Sequence, residues 1–167
     1  MQRDNNDNLF EPGNFDIGTL EDEIRADQLV GELLRQFCHE LVERQGEEPA
    51  TAGRMARGAD LFLRDFIIGD RRENIFRIDP PRVRQFAGNW YIVKTLEPNM
   101  AELGDILEGV AAFYAWLQEQ GHYPHEQGRK ILRYCTDLDY YRQRIDQFWQ
   151  LEDDGYRIWN SACPIEP

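Results

Sequence analysis

The stretch Asn99–Gly121, NMAELGDILEGVAAFYAWLQEQG, decides the fold. Leu103, Ile106, Leu107, Val110, Tyr114 and Leu117 return at the spacing of one helix face, and Phe113 and Trp116 widen it. Asn99 can cap the start, with Glu102 three residues on to reach back, and Gly121 supplies the stop. A helix with so broad an apolar face belongs inside a core, and its partners must carry the same period.

They do. Toward the N-terminus, Thr19 opens a helix with Asp22 as its capping-box partner and Glu21, Asp22 and Glu23 in the first turn, where the helix dipole favours negative charge. Val30, Leu33, Leu34, Phe37, Cys38, Leu41 and Val42 then follow helical spacing until Gly46. A second helix, 51–68, carries Met55, Ala59, Phe62, Leu63 and Phe66, with Gly53 and Gly58 weakening it or letting a neighbour come close. Asp79-Pro80-Pro81 reads as an N-cap followed by proline, opening a third helix with Val83, Phe86, Trp90, Tyr91 and Val93 that stops before Pro98. Beyond His122-Tyr-Pro-His125, a fifth helix is expected over 126–150, with Ile131, Leu132, Cys135, Leu138, Ile145, Phe148 and Trp149.

Two ends lie outside this pattern. Residues 1–18, rich in Asn and Asp and broken by Pro12 and Gly13, form a polar irregular tail that Phe10, Phe15 and Ile17 can pin to the body. Residues 155–167 begin with an alternating Gly155-Tyr-Arg-Ile-Trp-Asn run, read as an extended tail on the bundle because no second strand is available to pair with it. The expectation is an all-α, single-core bundle of about five main helices over 19–154, flanked by an irregular N-terminal tail and an extended C-terminal tail.

The chain has 167 residues and a formal charge of −12, unevenly spread. Residues 1–50 carry a balance of −9, residues 51–94 one of +4 and residues 95–167 one of −7. The net field repels polyanions, while the middle third can present a local cationic face, nearly all arginine. Cys38 and Cys135 fall on apolar helical faces, where free thiols pack as small hydrophobes. Neither a secretory leader nor an apolar run of membrane-spanning length is visible, so a reducing cytoplasm is the expected address.

One resemblance enters at residues 51–126. Leu61-Phe-Leu-Arg-Asp-Phe66, then Ile78-Asp-Pro-Pro-Arg-Val-Arg-Gln-Phe86, then Ala112-Phe-Tyr-Ala-Trp-Leu-Gln-Glu-Gln-Gly121 leading into His122-Tyr-Pro resembles the SAM-like core-binding domain of phage integrases and other tyrosine recombinases. It implies a helical fold and DNA contact through a basic face, for which Arg54, Arg57, Arg64, Arg71, Arg72, Arg77, Arg82 and Arg84 are the candidates. It implies no cleavage chemistry, because the 40 residues after Gln127 are too few for the family's catalytic domain. The plainer expectation is that these arginines solvate helix faces and pair with the acidic flanks.

Other chemistry is weakly signalled. His122, His125 and Glu126 are the only metal-like cluster, and Pro124 places them in a loop short of further ligands. His39 beside Cys38 points in a different direction on the helix, which weakens any dyad. Asp137, Asp139, Asp146 and Glu152-Asp-Asp154 lack a visible cleft, and Tyr123, Tyr134, Tyr140 and Tyr141 read as amphipathic packing residues. No phosphate loop, nucleophile elbow or Cys-x-x-Cys occurs.

The expected function is therefore a non-catalytic helical protein-interaction module, with no catalytic, cofactor or metal residues and no cofactor. Its partner would be another protein or a second copy, with Trp90, Trp116 and Trp159 as candidate anchors. The first alternative is DNA binding through the arginines of residues 54–84, disfavoured by net charge. The second is a small metal-dependent hydrolase using the histidine loop or acidic helix. No membrane partner is expected.

Overall fold

The computed structural model describes residues 8–167; the start of the expected N-terminal tail, residues 1–7, lies outside them. Every regular element among the described residues is helical. In order they are a 3-10 turn at Pro12–Phe15, α1 (Leu20–Glu43), α2 (Pro49–Asp60) continuing as a π-helical segment Leu61–Arg71, α3 (Pro81–Gln85) continuing through a π-helical segment Phe86–Trp90 into α4 (Tyr91–Lys94), α5 (Met100–Glu119), α6 (His125–Cys135), α7 (Leu138–Trp149) and α8 (Gly155–Ala162).

The predicted caps at Thr19 and Asn99 form. Asp22 N–H donates to Thr19 Oγ1 at 3.1 Å, and Thr19 N–H donates to the Asp22 carboxylate at 2.9 Å. At α5, Glu102 N–H donates to Asn99 Oδ1 at 2.8 Å. The expected return from Glu102 is replaced: its carboxylate accepts from the Tyr91 hydroxyl at 2.9 Å, and that hydroxyl receives Asn99 N–H at 3.3 Å. Gly46 and Gly121 both hold positive φ (69° and 78°), as their helix-stop role requires.

α5 runs through the centre, with Leu103, Ile106, Leu107, Val110, Phe113, Tyr114, Trp116 and Leu117 all buried. Its widest contact is with α2, and glycine sets the distance. A Cβ at Gly109 would fall 2.2 Å from the Met55 carbonyl oxygen, and one at Gly58 would fall 2.7 Å from the Ile106 Cα. The two backbones touch directly, which explains Gly58 in the helix interior despite its low propensity. On the other side, Phe37 of α1 meets Phe113 edge-on at 5.6 Å. The two π-helical segments face each other through Phe62, Phe66, Phe86 and Trp90, with centroids 5.2–5.5 Å apart. Of the N-terminal residues, Phe15 is fully buried, Phe10 stacks on His122 at 4.2 Å, and Ile17 is half-buried, so this segment is pinned as expected.

Three expectations are corrected. The helix expected over 126–150 is two helices: Thr136 Oγ1 donates back to the Leu132 carbonyl at 2.9 Å and the Arg133 carbonyl at 3.2 Å, ending α6. Pro80, not Asp79, occupies the cap position of α3, and no side chain caps it. The C-terminal tail is not extended at its start. Gly155–Ala162 is helix α8, with Trp159 and Cys163 buried four residues apart. An alternating six-residue run fits either period, and here side-chain bonds from α7 decide it. Trp159 Nε1–H donates to the Arg144 carbonyl at 2.9 Å, and Arg144 Nη1 donates to the Trp159 carbonyl at 2.7 Å.

Candidate interaction surface

Most side chains of the arginine segment are engaged by the protein's own acids and carbonyls. Arg54 lies 3.7 Å from Asp105 of α5. Arg64 binds Asp27 of α1 through two bonds of 2.9 and 3.0 Å and reaches Asp60 at 3.3 Å. Arg72 pairs with Glu23 at 2.9 Å, and Arg77 pairs with Asp16 at 2.8 Å. Arg71 and Arg82 are the two that meet, both donating to the Glu166 carbonyl, at 2.8 and 2.6 Å. Arg82 is buried and also pairs with Glu73. Arg84 pairs with Asp137 at 2.9 Å and lies over the rings of Tyr140 (4.6 Å) and Tyr134 (5.1 Å). Arg57 is exposed and forms no ion pair among the described residues. Most partners come from the acidic flanks, so these cations staple the two ends of the chain to its middle.

The other ionisable candidates are scattered. His122 is occupied by its stack on Phe10, and Gln118 Nε2 lies 2.6 Å from His125 Nδ1. Among the described residues no three His, Cys, Asp or Glu side chains converge as metal ligands. Burial raises the pKa of Tyr140 and Tyr141, which works against a phenolate at either position. Burial also pushes the Cys135 thiol up to about 12. Of the proposed tryptophan anchors, Trp116 and Trp159 are buried and Trp90 is half-buried.

Arg144 and Asn89 were not singled out from the sequence, yet both are buried polar residues. Arg144, only 3% exposed, donates to the Gly88 carbonyl at 2.9 Å as well as to Trp159, whose ring it covers at 3.9 Å. Asn89 Nδ2 donates to the Cys163 carbonyl at 2.7 Å and to Asn160 Oδ1 at 2.8 Å. A readable signal existed for the first: Arg144 falls on the Tyr141, Ile145, Phe148 stripe of α7, where a cation has no reason to sit unless it is bonded inside. Together these two residues hold α8 against the Phe86–Trp90 segment.

What α8 and α4 leave outside is apolar. Leu96, in the loop after α4, is 96% exposed and Trp149, at the end of α7, is 58% exposed. Trp149 Nε1–H donates to the Pro98 carbonyl at 3.4 Å, which sets the two residues at one end of the bundle. Tyr156 of α8 and Val93 of α4 are also exposed and, with Asn89 and Trp90, line a groove of about 220 Å³. Trp90 and Lys94 also border a second groove, of about 430 Å³, whose far wall is Leu61, Asp65 and Asp70 of the first π-helical segment.

Compared with known proteins, the chain matches no family model, no curated protein and no solved structure. Among the described residues no helix is long and apolar enough to cross a membrane.

Proposed function

We propose that this chain is a non-catalytic helical protein-interaction module whose working surface is the apolar end formed by Val93, Leu96, Trp149 and Tyr156. The observation that carries the reading is the exposure of these four large side chains, of which Val93 and Tyr156 line a groove and Trp149 bonds to Pro98, two residues after Leu96. Folding gains nothing from a leucine left almost wholly in water, and tryptophan and tyrosine at a surface are the residues that anchor protein partners. The arginines support the reading from the other direction: engaged within the molecule, they leave little free cationic surface for a phosphate backbone. A fold relation to recombinase core-binding domains rests on Phe62, Leu63, Phe66, Phe86, Phe113, Trp116 and Leu117. All are buried, so it concerns packing and not a shared binding surface.

The test is photo-crosslinking in the native cell, with a photoreactive phenylalanine analogue replacing Trp149 and, as control, Arg35 on the exposed side of α1. A discrete protein adduct from position 149 and none from position 35 is the expected result. Equal or no adducts at both positions would remove the reading.

A further inference from the structure

Resting on that reading, we propose that the surface takes a basic, apolar peptide segment of its partner, with a large apolar side chain in the Trp90–Tyr156 groove and lysine or arginine beside Asp65 and the acidic rim. The two grooves adjoin at Trp90 and Lys94, which border both; the smaller is mostly apolar, and the larger carries Asp65 and the Arg71-paired Asp70. The smaller groove is walled by Val93, Tyr156, Pro164 and Ile165, and its volume of about 220 Å³ suits one large aliphatic or aromatic side chain.

Charge selects the occupant. Asp65 lines the larger groove and forms no ion pair, while its neighbour Arg64 is committed to Asp27 and Asp60. Partial desolvation and the nearby Asp60 raise the pKa of the exposed Asp65 carboxyl, against the pull of Arg64, and an incoming cation would favour its charged form. Around the apolar residues, Glu97 follows Leu96, Asp146 precedes Trp149 by one helical turn, and Glu152-Asp153-Asp154 joins Trp149 to Tyr156. All are exposed, and none forms an ion pair among the described residues. The cations of the same region are Lys94, Arg142 and Arg157, fewer than the acids, together with Arg71, which is held by Asp70 and the Glu166 carbonyl. The unpaired balance is negative, so a segment bringing positive charge gains both attraction and relief of repulsion. A second copy of this chain, itself at −12, brings the opposite.

The experiment is a fluorescence titration of the intact protein with two synthetic peptides of one leucine pattern, the polar positions all lysine in one and all glutamate in the other. The lysine peptide is expected to bind saturably and to weaken as salt rises. Its affinity should fall roughly fivefold or more in Asp65→Asn, in Tyr156→Ser and in the triple Glu152→Gln, Asp153→Asn, Asp154→Asn variant, but not in Glu32→Gln on α1. All these positions are exposed, and thermal melts check that each variant folds.

Equal or tighter binding of the glutamate peptide overturns the inference, as does lysine-peptide binding that none of the variants weakens, or no binding of either peptide. Light scattering that shows a doubled mass, lost in Tyr156→Ser, would make the partner a second copy and overturn it too. In each of these cases the protein-interaction reading is judged separately, by the adduct at position 149.

Discussion

At the scale of single residues, this fold depends on a few positions where substitution has no room. Gly109 is the clearest, because any side chain there meets the Met55 carbonyl across the α2–α5 contact. Gly109→Ala should destabilise the protein by about 2–3 kcal/mol or more, since the obstacle is backbone and cannot rotate away. Denaturant unfolding measures this, with Gly31→Ala as the control because a methyl there meets nothing. Asp22 supplies a pH signature. Its carboxylate accepts from Gly18 N–H, from Arg25 and from Thr19, which lowers its pKa to about 2. The folded value lies below the unfolded one, so this contribution is complete above about pH 4 and fades as pH falls toward 2. Asp22→Asn should therefore flatten the acid limb of the stability curve, read by urea unfolding at several pH values. An unchanged limb would mean that the capping box is not formed in solution.

Elements that were legible in the sequence are those whose period runs for three turns or more and whose caps are local. α1 and α5 read correctly from their stripes, from Thr19 and Asn99, and from Gly46 and Gly121, because each of these signals acts within a few residues of chain. The break at Thr136 was hidden because a threonine hydroxyl bonding back to its own helix leaves no trace in a hydrophobic pattern. α8 was misread because six alternating residues cannot discriminate two periods, and what settles it is a cation from another helix. The candidate site was legible only in its parts. The arginines were visible as a basic segment, but their partners lie up to 95 residues away. Val93 shares a groove with Tyr156, and Trp149 bonds to Pro98 near Leu96, pairings that only the fold makes. The Arg144 clamp makes an element-level prediction. Arg144→Ala removes the donors to Gly88 and Trp159 and should cost about 2–4 kcal/mol. Hydrogen exchange should show amides of 155–163 opening first while α5 stays protected; uniform loss of protection would place Arg144 in the global core instead.

For the whole molecule, the distribution of charge is the organising fact. An acidic front and back enclose an arginine-rich middle, and Arg54, Arg64, Arg72, Arg77 and Arg84 turn that sequence asymmetry into long-range pairs. Cations paired in this way leave less free positive surface for a polyanion, and the net charge is −12. Duplex DNA should give no mobility shift even at low salt, whereas binding that falls steeply with salt would restore the DNA-binding alternative.

Surface set aside for a partner should be dispensable for folding, and this separates an interaction face from mere core. The most direct measurement is made on the triple variant Leu96→Ser, Trp149→Gln, Tyr156→Ser, with the photoreactive residue moved to position 93. The account predicts a melting temperature equal to or above that of the natural chain and loss of the protein adduct. A variant that melts far lower, or one that still captures the same partner from position 93, would contradict it.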